Sequence, residues 1–594
     1  MTNITRHLAI CALLSATSFA ASAQDLSTEV EIRYQETPEL RETNKLSLTP
    51  SVTLPKERAA GLAFSSRALR VAVPGTINTL EPAAYADSIY TSPYRGYAAV
   101  GFMPKFNLGV SAGYKILDTD HTRLNAWLQY DGTAYKGEPM HALTGFDADN
   151  KPVFSTAFPD KIYTRRNTAT LGLNLHQAAG RESFIDAGID YTFDRFNMPV
   201  YRSLVNQNAN RVNVSVLWSL THGDYNYGLG GRFHHFGFSN RMGYQTFNLE
   251  GSGPGAQTSF SDITPVRENR FEINGYFAGK ILGARSAGIG VDFSYINNPN
   301  NHTPYPNTPF AVRERSFHQA LITLTPNYRF GIDNLDFDLG VRIDLGLNAG
   351  KVFHIAPQAS VTWHPGEIVK VYGKATGGQW QNTAASLFDV TPYALPFTSW
   401  RNSNVPVEAE AGVNIGLWRG FYAEIAASFA IADDWLMPLM AGDMATVFEP
   451  VDLKGYKLHA AAGYNYRNIA DLKVSYEKAP SKHKRGWYLW RDRASSVISA
   501  DLKVTPVSFI DINVGWQYRG GRKMFGPQLP VADHTGDYIS LRSVNNLSAG
   551  ALYRITSQWS AFVKGENLLN RHSYLIGGMP AQGITGLAGV TYKF

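Results

Sequence analysis

Cysteine is almost absent from this 594-residue chain: the single thiol, Cys11, lies near the start. A chain that leaves the cytoplasm without cysteines cannot be a disulfide-stapled scaffold. Its stability has to come from an extensive hydrogen-bonded framework. Charge is also scarce, at 18% against the roughly 25% of ordinary globular proteins. Beyond the first residues there is no apolar run of about 18 residues, which excludes membrane-spanning helices. The βαβα alternation and long 3.6-residue periodicities of large soluble domains are missing as well. The net charge of +6 falls to about +5 if Arg6 is removed with a leader. A value that small and dispersed does not argue for nucleic acid as a partner.

What the chain does have begins at its N-terminus. Arg6 precedes an apolar stretch from Leu8 to Ala21, followed by the small-x-small sequence Ala21-Ser22-Ala23 and Gln24. This is the pattern of a secretory signal peptide, expected over residues 1–23. Cys11 comes before most of the apolar core, the wrong place for a lipidated cysteine. Residues 24–94 hold Pro38, Pro50, Pro55, Pro74, Pro82 and Pro93 and read as a mostly extended periplasmic segment.

From about residue 95 to 594 a period of two dominates. Phe337, Leu339, Val341, Ile343 and Leu345 form one face of a segment, and Asp336, Asp338, Gly340, Arg342 and Asp344 form the other. Ile510, Ile512, Val514, Trp516 and Tyr518 alternate in the same way with Asp511, Asn513, Gln517 and Arg519. Successive strand side chains point to opposite faces, so each segment has one oily and one polar wall. A soluble β-sandwich alternates too, but it divides into units of about 100 residues, and no such division is visible here. Aromatics at the ends of the apolar rows, such as Trp218 and Tyr518, fit interfacial girdles instead. In lipid, strands can span only as a closed barrel. The expected fold is therefore all-β: a transmembrane antiparallel β-barrel of about 22 strands, with a tolerance of two to four. Connections alternate short (Gly180, Gly223-Asp224, Asn334, Pro365-Gly366, Arg419-Gly420) and long (137–162, 239–266, 298–313, 381–405, 434–451, 479–492, 521–542, 568–585). This parity places both barrel ends in the periplasm and the long loops outside.

Near the C-terminus, Glu566-Asn567-Leu568-Leu569-Asn570 precedes a strand in which Ala588, Val590, Tyr592 and Phe594 alternate with smaller or polar residues. This stretch resembles the end of TonB-dependent outer-membrane receptors. The terminal aromatic resembles the signal read by the outer-membrane assembly machinery, expected here as a partner together with outer-membrane lipid. The family implies a barrel of about 22 strands in the bacterial outer membrane. It also implies a folded plug of well over a hundred residues before the barrel, for which residues 24–94 are too short, so the chain looks like a plugless member. Glu29, Val30, Glu31 and Ile32 resemble a TonB box, a segment that pairs by strand addition with TonB or another periplasmic protein. The same residues also read as an ordinary β-prone stretch.

Signs of chemistry are few. There is no metalloprotease His-Glu pattern and no phosphate-cradling loop, so no catalytic residue, cofactor or metal is expected. His234 and His235 are adjacent on a strand and point to opposite walls. Asp336, Asp338, Arg342, Asp344, Asp511 and Arg519 are expected as lumen charges in a hydrated ion-pair lattice. The loop 381–405, with Phe388, Tyr393, Phe397 and Trp400, either binds a ligand or partner, folds inward to close the pore, or packs against its neighbours. The expected function is passage of a hydrophilic solute across the outer membrane, by a channel or a receptor-like importer. The alternative is a non-transport scaffold for other envelope proteins.

Overall fold

The computed structural model describes most of residues 94–594; residues 1–93 and parts of several long loops (among them 104–106, 140–142, 147–151, 155–160, 248–257, 484–493 and 526–537) lie outside the described residues. The signal peptide, the N-terminal segment as far as residue 93 and the TonB-box-like stretch all fall there.

Twenty-two antiparallel strands close into one barrel. It opens with Gly96–Met103 and ends with Thr585–Lys593, and these two pair from Tyr97↔Lys593 to Phe102↔Ala588. Every strand between pairs with its predecessor, so the sheet has no free edge within the membrane, as lipid requires. Every second connection is a tight turn, at the end of the barrel where residues 96 and 593 also lie. Local chemistry dictates these turns. Trp418 and Phe421 pair across Arg419 and Gly420, both with positive φ (53° and 93°), the geometry of a two-residue hairpin whose twist matches the strands. Gly223 and Asp333 (φ 58° and 50°) serve the same purpose in two other turns.

The two faces of the wall differ as the sequence alternation demands. Leu171, Ile189, Val216, Ile273, Ile425 and Val563 are 46–65% exposed, all on the outer face. An uninterrupted apolar exterior of this kind is stable only in lipid. Near the turn end it finishes in aromatics: Trp218, Trp363, Trp418, Phe421, Tyr553 and Trp559 are 37–57% exposed and form the girdle of the membrane–water interface. The inner face is polar.

Two stretches expected as loops are strand. Residues 298–313 continue the hairpin Arg285–Tyr305/Thr308–Ile332, and 434–451 continue Phe421–Ala441/Ala445–Tyr466. The prolines suggested loops, because proline cannot donate to a ladder. Here register shifts at Asn298/Asn301, Pro304/Tyr305 and Ala432/Trp435 absorb the irregularity. Outside the membrane nothing limits strand length to the bilayer thickness, so these hairpins rise above the wall.

Candidate functional site

Two features define what the barrel can do: the wall of its lumen and the closure of its loop end. Along the wall, opposite charges meet across strands. Arg329 reaches Asp338 at 2.7 Å and Lys374 reaches Glu410 at 3.7 Å, while Lys564 and Glu566 pair along a single strand at 2.6 Å. Arg554 pairs with Asp511, which also accepts from Thr505. Asp336 lies at the turn end, 3.8 Å from His364 and largely exposed. Arg519 sits on the same inner face as Asp511 and pairs in register with Val544. His234 and His235 occupy opposite faces, one bonded to Asn213 (2.9 Å) and the other to Asn269 (2.8 Å), and do not form a joint site. Among the described residues no group of three or more His, Cys, Asp or Glu side chains is placed to hold a metal ion.

Arg342 and Asp344 have a more particular place. Asp344 is fully buried and accepts from Thr323, from Arg342 (3.0 Å) and from the backbone amide of Gln379 (2.7 Å). Arg342 in turn donates to the carbonyl of Gln379 at 2.9 Å. Gln379 is the root of the connection that follows the strand Val369–Trp380. The two charges therefore grip a loop through its backbone. Gly378, with φ 139°, lies so close to the Arg342 guanidinium that a side chain there has no room.

The gripped loop turns into the mouth of the barrel. Thr383 caps a short helix, Ala384–Val390, and forms a capping box with Ser386. The first helical amide, of Ala384, donates to the carboxylate of Glu268 on the strand Arg267–Leu282 at 2.7 Å. Phe388 enters a cage of Phe196, Phe236 and Phe238, with ring centroids at 5.6, 5.2 and 5.9 Å. Arg166 lies over the Phe388 ring at 5.7 Å and is held by Asp194. Asp389 meets Arg211 at 2.7 and 3.4 Å, and Arg211 lies over Phe236 at 5.8 Å. Tyr393 is buried against Phe196, and burial pushes its hydroxyl up to about 12, so it stays neutral. The strand Ala394–Thr398 then runs between the two raised hairpins, in parallel contact with His302 on one side and with Thr446 and Phe448 on the other. Leu387, Val390, Ala394, Leu436 and Phe448 pack at this junction. Of the outcomes left open for 381–405, the described residues combine two: the helix folds inward, and the stretch after it packs against the neighbouring hairpins. The side chains of Phe397 and Trp400 lie outside what is described.

A second loop, between Trp559–Glu566 and Thr585–Lys593, folds toward the neighbouring wall. The Tyr135 hydroxyl donates to the carbonyl of Pro580 (2.9 Å), Arg522 donates to the carbonyl of Tyr574 (2.8 Å), and Met579 is fully buried. The Glu566–Asn570 motif sets its shape. Asn567 and Asn570 both take positive φ (48°). The Asn567 side chain accepts from the Arg571 amide and donates to the carbonyls of Arg571 and Gln582, while Asn570 accepts from the Ile584 amide. Asparagine is the non-glycine residue best suited to that backbone, because its amide bonds locally. The motif thus acts as a loop-root clasp.

No protein-family model matches the chain, and neither does any of the curated proteins. Its fold is similar to solved outer-membrane structures. The ferripyoverdine receptor of the outer membrane of Pseudomonas aeruginosa superposes with a TM-score of 0.59 at 12% identity, over 84% of this chain and 72% of the receptor. The siderophore receptor PirA from Acinetobacter baumannii gives 0.60 at 11%, over 84% and 80%. The outer membrane transporter YddB from Escherichia coli gives 0.57 at 11%, over 84% and 80%. At such identities the likeness is one of fold, and it is the receptor-type barrel that the C-terminal motif implied.

Proposed function

We propose that this outer-membrane barrel passes a hydrophilic solute, and that its own loop 381–402 controls the entrance. The observation that supports this most is the pairing of a polar lumen lined by ion pairs with a connection folded inward at its mouth. A lumen filled only for stability has no need of so many ion pairs, because well-packed apolar side chains serve as well or better. A 22-stranded barrel left open admits far more than a nutrient, so a closure is needed. The charged pairs Arg329–Asp338, Lys374–Glu410 and Arg554–Asp511 give a hydrated surface without a strong preference for either sign.

The test is conductance in planar bilayers of the chain from Gln24, compared with a version in which residues 382–401 are replaced by a short Gly-Ser linker. A silent or flickering intact protein and steady openings in the shortened one are expected. Two equally silent proteins, both folded, remove the transport reading and favour the scaffold.

A receptor-like importer is the second reading, supported by the fold shared with siderophore receptors. It requires residues 27–33 to contact an energising periplasmic partner. Co-purification with TonB that survives deletion of 27–33 removes it.

A further inference from the structure

The segment that folds into the mouth carries an aromatic ring and a carboxylate on adjacent residues, the ring seated in an aromatic cage and the carboxylate paired with an arginine at its exposed rim. Phe388 is 7% exposed and is surrounded by Phe196, Phe236 and Phe238, with a guanidinium over its face. Asp389 presents both oxygens to one guanidinium, that of Arg211. The receptacle belongs to the wall. Phe196 pairs in register with Arg166, and Phe236 with Arg211, across three neighbouring strand ladders, so its parts stay together whether or not the helix is present. A helix of seven residues has little stability of its own, so Phe388 and Asp389 can leave as a unit.

We propose that the pocket formed by Phe196, Phe236, Phe238, Arg166 and Arg211 is a binding site for a small aromatic carboxylate, and that Phe388-Asp389 occupies it as a tethered stand-in when the mouth is closed. This deepens the transport reading and rests on it: a solute of that class competes with the loop for the pocket and so favours opening. The chemistry is specific on two counts. Removing the helix leaves an aromatic cage facing water, which takes a flat apolar ring by burial and edge-to-face contact. It also leaves Arg211 without the Asp389 carboxylate, and a planar guanidinium fork recognises a carboxylate bidentately. Arg166 stays neutralised by Asp194 and acts through its position over the ring. A neutral sugar uses neither feature, and an inorganic anion uses only one.

The experiment titrates phenylacetate into the detergent-folded chain by calorimetry, with acetate (charge without ring) and benzyl alcohol (ring without charge) as controls. Intact protein is compared with F388A/D389A, which empties the pocket but leaves its wall, and with the same variant carrying R211Q. Expected is saturable one-to-one phenylacetate binding in F388A/D389A, stronger than in the intact protein. It should weaken by at least about tenfold on adding R211Q, and neither control should bind. Where the double variant does not keep the heat-modifiable mobility of a folded barrel, D389K expels the helix by charge repulsion and serves in its place. Equal binding of phenylacetate and benzyl alcohol, or no effect of R211Q, overturns the assignment, as does absence of phenylacetate binding in a folded variant. Because binding is read without a membrane, failure here is separable from failure of transport. Conductance with no phenylacetate binding removes the site alone, and a site that binds in a barrel that never conducts removes the transport reading on which the proposed role in opening depends.

Discussion

The two ends of this barrel are built by different means. At the turn end each connection is settled mainly by two to four residues: the positive φ of Arg419 and Gly420 makes a two-residue hairpin, and the girdle of Trp218, Trp363 and Trp559 follows from where each strand leaves the lipid. At the loop end almost nothing is local. The position of Phe388 depends on Phe196, Phe236 and Phe238, and that of Gln379 on Asp344 and Arg342. Errors at the turn end stay small and additive, whereas at the loop end one residue can release a whole segment.

The largest test of that contrast is Arg342→Ala. It leaves the fully buried Asp344 without the Arg342 cation and removes one of the two side-chain bonds to the Gln379 backbone. A loss of about 3–5 kcal/mol is expected, read in a denaturant titration in lipid vesicles, together with new protease cleavage within 381–402. An unchanged cleavage pattern shows the loop to be held from its helix and not from its root. Ile425→Lys probes the wall between the two ends. This side chain is 65% exposed on the outer face, four residues inward from the girdle residue Phe421, so the lysine meets hydrocarbon and costs about 2–4 kcal/mol. The neighbouring Glu424→Lys, on the lumen face, should cost far less; equal costs contradict the assignment of faces. Gly223→Ala tests the turn end. With φ at 58° and nothing within 4 Å of the added methyl, only the backbone penalty of about 1–2 kcal/mol remains, with no change at the loop end. Asp389→Asn is the smallest. The Asp389 side chain is 58% exposed, so the pair with Arg211 contributes at most about 1 kcal/mol, and raised salt should erase the difference in stability.

The same contrast explains what could be read from the sequence. The strand count, the polar lumen face and the tight turns all follow from alternation and turn chemistry, and each is visible within about ten residues. Asp336, Asp338 and Asp344 share the inner face because they are separated by even numbers of residues. Their separate tasks, an exposed end charge, an ion-pair member and a buried anchor, depend on Arg329 and Gln379, which the alternation does not single out. The first hairpin extension was obscured by Pro304, where a register shift absorbs the disruption, whereas Pro438 stays in register opposite Phe448. Phe388 and Tyr393 stood out as loop aromatics, but the direction in which they pack is a property of Phe196 and Phe236, more than 150 positions away. Arg166 and Arg211 were missed altogether. The only signal was an arginine on a lumen face beside an aromatic in register, and that needs the register first.

The closing contact carries a consequence for how the molecule is made. The backbone of Gly96 exchanges two hydrogen bonds with Phe594, at 2.9 and 3.0 Å, and the Phe594 ring stacks near Tyr114. The barrel's first strand, already paired with Asn107–Asp118, thus finds its second partner nearly 500 residues further along the chain. Through translation, export and the crossing of the periplasm, both margins of the nascent sheet stay unmated and able to recruit foreign strands. The window of vulnerability is set by the time needed to deliver Thr585–Lys593, not by the strength of any contact in the finished wall.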